Sequence, residues 1–160
     1  MINKRLTQKN LLRCILLFFC LSLSSFSFTA DQAFDESLTD TYSTRFWNSF
    51  NNDIASGNLE KYLSHWDENA ERITPTVHAR GIDEIRATYL RYLDVYTDFR
   101  QTELRRVIDR NVSISELITE AKHKVSGEII SLPNVAIVEF NDLGKVIRAR
   151  VYLDTRKFSP

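Results

Sequence analysis

Three histidines, His65, His78 and His123, are the side chains of this 160-residue chain whose ordinary pKa lies nearest neutrality. His78 sits in a stretch read as a loop, Thr76 to Arg80, where a short strand gives way to a helix, and it is the candidate acid or base. His65 stands beside Trp66, one position off an apolar stripe, and reads as a surface residue. His123 lies between Lys122 and Lys124 and reads as a solvated strand end. Tyr89, Tyr92 and Tyr96 fall along one helical stripe, either as core residues with phenols at the boundary or as hydroxyl donors lining a pocket. Metal binding needs converging ligands, and without an HxH, HxxxH or CxxC spacing no metal site is expected. With four glycines and no Gly-x-Ser-x-Gly, neither a nucleophile elbow nor a phosphate-cradling loop is expected, and no cofactor either. Asp109-Arg110 reads as a hairpin end. Arg148 and Arg150 would pair with Glu116 and Glu120 in a cross-strand ladder.

Residues 1–30 differ from everything after them. Lys4, Arg5, Lys9 and Arg13 form a basic start without an acid, Ile15 to Leu23 is apolar apart from Cys20 and Ser22, and small residues follow up to Ala30. This is the layout of a cleaved signal peptide, with an uncleaved signal anchor as the alternative and as the one membrane contact expected. Both cysteines, Cys14 and Cys20, lie inside it, so the exported part would carry no disulfide. All 21 acidic residues lie beyond Ala30 while those four cations lie before it. The exported part is therefore mildly acidic, which counts against nucleic acid as a partner. Residues 31–38 read as a linker, 39–156 as one domain and 157–160 as a tail, in a periplasmic or secreted protein.

The elements that must position these side chains follow from periodicity. Tyr42, Phe46, Trp47, Phe50 and Ile54 recur at helical spacing, with Ser37 or Thr39 as cap and Gly57 as stop. Asn58 caps a second helix carrying Leu59, Tyr62, Leu63 and Trp66 and closed by Asp67 to Asn69. Ala70 to Thr74 makes a short strand. A third helix starts at Gly81, with Asp83 and Glu84 complementing its dipole. Strands follow over Thr102 to Asp109, Val112 to His123 and Val125 to Ser131. A closing hairpin is expected over Leu132 to Phe140 and Lys145 to Asp154, turning at Asn141-Asp142-Leu143-Gly144. In its second arm Ile147, Ala149, Val151 and Leu153 share one face, and Arg148, Arg150, Tyr152 and Asp154 the other. Helices first and a strand meander afterwards imply an α+β domain.

The order of Ser56-Gly57-Asn58-Leu59, Trp66-Asp67-Glu68-Asn69-Ala70, Pro75, Gly81-Ile82-Asp83-Glu84-Ile85-Arg86 and the run from Phe140 to Arg150 resembles the NTF2-like superfamily, in its SnoaL-like branch. The resemblance spans about Thr39 to Asp154. It implies a cone: a curved antiparallel sheet wrapped around three N-terminal helices, with an apolar pocket open at one end. It also implies relatives that include ketosteroid isomerase, polyketide cyclases and epoxide hydrolases as well as non-catalytic modules, many of them homodimers through the outer face of the sheet. The isomerase's oxyanion-donating tyrosine, general-base aspartate and protonated aspartic acid fall at Phe50, Thr74 and Ala136. None of these side chains can perform the role, so the isomerase mechanism is not expected. Tyr89 falls where that family carries a pocket tyrosine.

The resulting expectation is an exported SnoaL-like domain that holds a small apolar molecule. Its binding residues would be Trp47, Phe50, Trp66, Thr74, Asn134, Ala136 and Val138. Any lyase- or isomerase-like step would fall to Tyr89 as hydrogen-bond donor and His78 as acid or base. The alternative is a non-catalytic envelope module for binding or assembly that dimerises through its sheet.

Overall fold

The protein is described here by a computed structural model covering residues 35–154 and 156. The expected leader, residues 31–34 of the expected linker and the expected tail lie outside the described residues. The first helix, α1 (Glu36–Ser49), starts three residues before Thr39, inside the stretch read as linker. Its cap is Asp35 rather than Ser37 or Thr39: the Asp35 carboxylate accepts from the Ser37 amide at 2.9 Å and the Ser37 hydroxyl at 2.6 Å. Beyond Ser49 the chain widens into a π-helical turn, Phe50–Ile54. A spacing of four residues drifts around an α-helix, and the wider turn takes up that drift. Phe46, Phe50 and Ile54 all stay buried.

Helix α2 (Leu59–Leu63) is capped by Asn58 as expected, its side chain accepting from the Lys61 amide at 3.2 Å. Trp66 does not belong to it. It opens strand β1 (Trp66–Ile73), which also absorbs Asp67 to Asn69, read from sequence as the helix end. The stretch read as the loop Thr76 to Arg80 contains a further strand, β2 (His78–Arg80), paired antiparallel with β1. Helix α3 (Gly81–Val95) begins at Gly81 as expected.

Strand β3 (Tyr96–Asp109) starts at Tyr96, not Thr102. Asp98, at φ 54°, lies in an irregularity between Thr97 and Arg100 that lets the strand leave the helix without a loop. Strand β4 (Val112–His123) has the bounds read from the sequence. The two runs split at Leu132 are one strand, β5 (Ile129–Phe140), followed by β6 (Val146–Leu153). Pro133 fits within β5 because β6 ends at Leu153 opposite Asn134, so beyond that pair β5 has no strand partner on that side among the described residues and an N–H can be missing there.

The six strands form one curved sheet in the order β2-β1-β6-β5-β4-β3. Four pairings are antiparallel and one is not: β1 runs parallel to β6, so the sheet is mixed. Because β5 separates β6 from β4, the expected ladder from Arg148 and Arg150 to Glu116 and Glu120 cannot form. Arg148 instead reaches Glu71 at 3.3 Å and Glu139 at 3.5 Å, while Glu116 and Glu120 stand opposite Arg105 and Arg100 of β3. A bulge opposite Glu139 and Phe140 puts Val146, fully buried, on the inner side, so Ile147 leaves the inner row of Ala149, Val151 and Leu153.

The helices pack on the inner face of this sheet. A short polar chain seats α1 on β4: the Ser43 and Ser113 hydroxyls lie 2.8 Å apart, and the Trp47 indole N–H donates to Ser115 Oγ at 3.3 Å. At the β5–β6 turn a Cβ on Gly144 would meet the Tyr42 ring at 2.7 Å, so glycine there lets α1 close against the turn.

Candidate functional site

Between the helices and the inner face of the sheet lies a hollow with a volume of about 100 Å³. One wall is aromatic. Phe46, Trp47 and Phe50 come from α1 and the π-helical turn, Tyr62 from α2 and Trp66 from β1. Their rings meet edge to face or tilted: Phe46 and Trp66 at 5.6 Å, Phe50 and Tyr62 at 5.6 Å, Tyr62 and Tyr89 at 5.1 Å. Such contacts fix the rings, so the wall keeps its shape without an occupant. The opposite wall is the inward row of β5, Leu132, Asn134, Ala136 and Val138, extended by Ala149, Val151 and Leu153 of β6. Thr74, Pro75 and Thr76 lie at the rim, where Pro75 and Thr76 are exposed.

All seven binding residues named from the sequence, Trp47, Phe50, Trp66, Thr74, Asn134, Ala136 and Val138, line this hollow, and so does Tyr89. The Tyr89 hydroxyl lies 2.8 Å from that of Tyr62. Burial, and then the neighbouring Tyr89, push the Tyr62 phenol well above its ordinary pKa, so it stays protonated. His78 is not among the lining residues. It lies on β2 with its side chain 42% exposed, and its Nε2 faces Glu71 Oε1 at 3.8 Å. The strand pairing that the loop reading missed turns it along the sheet edge.

His65, expected at the surface, is half-buried, and burial, then Lys145 and Arg45, hold its pKa below the ordinary value. His123 is partly covered, with its ring 5.5 Å from that of Tyr96 and its Nδ1 accepting from the Ser126 amide at 3.1 Å. Among the described residues no group of acids, histidines or cysteines is arranged to hold a metal ion.

The charged lining residue escaped the sequence reading. Arg72, on β1, is 9% exposed and enters the hollow with its guanidinium over the rings of Tyr89 and Tyr92, at 5.2 and 5.5 Å from their centres. The signal was available: Thr74 was already read as facing the pocket, and in a strand the residue two places earlier shares its face. Across the hollow a second polar group forms around Thr119, whose hydroxyl accepts from Gln101 Nε2 at 3.1 Å and from Asn134 Nδ2 at 2.8 Å. Among the described residues, the buried side-chain polar atoms without a hydrogen-bond partner are Trp66 Nε1, Arg72 Nη1, Gln101 Oε1 and Asn134 Oδ1. All four belong to residues that line the hollow. A buried polar atom left unpaired costs about 1–3 kcal/mol. Their concentration around one cavity marks it as a place where a partner is missing, not as ordinary core.

Chemically, the hollow offers apolar surface, donors at Arg72 and the phenols, and acceptors at two amides. Among the described residues no Asp, Glu or His lines it, and those that do include no group suited to taking a proton from carbon near neutral pH.

A model of the SnoaL-like domain matches residues 44–149. AclR of Streptomyces galilaeus superposes with a TM-score of 0.65 at 13% identity, over 77% of this chain and 93% of that one. A protein described provisionally as a SnoaL-like polyketide cyclase, from Shewanella denitrificans, gives 0.64 at 10% identity, over 75% and 93%. An LEH-like epoxide hydrolase from M. tuberculosis gives 0.61 at 14% identity, over 73% and 86%. Identities this low speak for the fold alone. No curated protein matches the chain in sequence.

Proposed function

The chain belongs to the SnoaL-like domain family and has its NTF2-like fold, and from that premise we propose that it is an exported domain that binds a small, mainly apolar molecule in the hollow between helices and sheet. The observation that carries this reading is the coincidence of a fixed aromatic wall with the four unpartnered buried polar atoms. The wall also serves as core, but the unpaired atoms add nothing to the fold's stability, and both features are useful to a ligand. Export is supported by the basic start and apolar run of residues 1–30, with the periplasm or the medium as destination.

Binding is favoured over catalysis. A lyase- or isomerase-like step would pair Tyr89 with an acid or base, and His78, the expected one, stands away from the hollow beside Glu71. The test is mass spectrometry of small molecules released from the protein purified from its native host, compared with Ala136→Phe, which fills the hollow. The expected result is a molecule in near-stoichiometric amount with the wild type and its loss in a variant that keeps a native circular dichroism spectrum. An unloaded wild type that also binds no apolar probe would end the reading.

A second reading, a non-catalytic module that assembles through its sheet as a homodimer, is supported by the outer face. There Val107, Ile114 and Ile137 stand in one row across β3, β4 and β5, and Val135 pairs with Tyr152 beside it. Of these, Val107, Ile114, Val135 and Tyr152 are exposed. Sedimentation of the wild type against Ile114→Lys tests it: a dimer converted to a monomer supports this assembly, and a monomeric wild type removes it.

A further inference from the structure

We propose that the molecule held in the hollow is a small organic acid, whose carboxylate pairs with Arg72 while its apolar body lies against the aromatic wall. The inference rests on the reading of the hollow as a ligand site and names the chemistry of its occupant.

The argument begins with charge. An arginine side chain is protonated at any physiological pH, so Arg72 brings a full positive charge into a buried position. No carboxylate among the described residues forms an ion pair with it, and its Nη1 has no hydrogen-bond partner. Glu71, its neighbour in sequence, points to the other side of the strand and is engaged by Arg80 and Arg148. The faces of Tyr89 and Tyr92 compensate part of the lost hydration, as rings beneath a guanidinium do. The Tyr89 phenol oxygen can accept one N–H, but the two tyrosines do not supply the pair of parallel in-plane acceptors that a guanidinium fork matches, and Nη1 stays unpaired. A carboxylate supplies both the acceptors and the opposite charge.

Charge and size then narrow the class. Arg72 is the one Lys or Arg among the lining residues, which suits a single negative charge. A phosphate monoester, with a charge of about −1.5 to −2 near neutral pH, would leave part of its charge uncompensated. The hollow, about 100 Å³ and open past Pro75 and Thr76, suits a small acid, and its ring-lined wall fits an aromatic one.

The test is calorimetric titration of the wild type with phenylacetate and with phenylacetamide, which share shape and differ in charge, and then of Arg72→Met with both. The proposal expects phenylacetate to bind the wild type at least tenfold more tightly than the amide, and Arg72→Met to lose that preference while keeping its affinity for the amide. Equal binding of acid and amide to the wild type would overturn the acid assignment and leave the ligand site standing. Binding of neither would overturn both. The wild-type comparison decides the matter even if the variant fails to fold.

Discussion

Two buried charges in this domain are treated in opposite ways. Asp53, in the π-helical turn, is 6% exposed and fully engaged: its carboxylate accepts from the Ser49 hydroxyl at 2.6 Å and from Lys61 Nζ at 2.9 Å. The Ser49 hydrogen bond, and then Lys61, hold its pKa below the usual carboxylate range. Arg72 is nearly as well buried, at 9% exposed, yet it has the rings of Tyr89 and Tyr92 on two adjacent sides and, among the described residues, no hydrogen-bond partner for its Nη1. A charge whose partners are all supplied by the fold is part of the scaffold, whereas a charge whose partner is missing awaits one from outside. The difference separates a charge that holds the π-helical turn to α2 from one on β1 that faces the hollow.

The contrast can be broken by removing each charge in turn. Asp53→Ala should cost about 2–3 kcal/mol in urea unfolding, because it deletes hydrogen bonds to a charged group and strands the Ser49 hydroxyl. A loss below about 0.5 kcal/mol would show that the turn does not depend on Asp53. The same carboxylate sets an acid limb. Its folded pKa is depressed, so its contribution is complete above the unfolded value of about 3.9 and is lost as the pH falls through the folded value. Unfolding free energies measured from pH 6 downward should drop for the wild type and drop less for Asp53→Asn.

Arg72→Met should move the other way, gaining about 1 kcal/mol in the absence of ligand, because a methionine needs no counter-charge and fills similar space. A loss above about 2 kcal/mol would make Arg72 part of the scaffold and erase the distinction. The smallest effect belongs to His65. Its pKa is lowered in the folded state, so the unfolded chain takes up its proton first, and stability should decline as the pH falls below about 6.5. His65→Gln should flatten that shallow slope between neutral pH and the onset of the acid limb, and an unchanged slope would assign it to another group.

Much of the helical layer was legible because an amphipathic rod writes its buried face at fixed spacing. Phe46, Trp47, Phe50, Tyr62 and Tyr89 are all where that spacing put them. The site was legible in its apolar part for the same reason, and Ala136 and Val138 because β5 alternates. Its polar part was less so. Asn134 is among the residues named from the sequence, but Gln101 is indistinguishable there from a solvated strand residue until Thr119 is brought between the two from a third strand. His78 was misjudged because a three-residue strand pairing carries too little pattern to separate it from a loop.

The sequence by itself determined the helices in their order, the bounds of β4, the family and the aromatic lining, since each depends on local periodicity or on short ordered motifs. Only the tertiary structure decided that β1 lies parallel to β6, that a bulge turns Ile147 out of the inner row, and that the guanidinium of Arg72 is enclosed with no carboxylate among the described residues paired to it. Those features depend on what stands opposite a residue, and the distance along the chain from Arg72 to Ala149, its partner in β6, puts that beyond any local pattern.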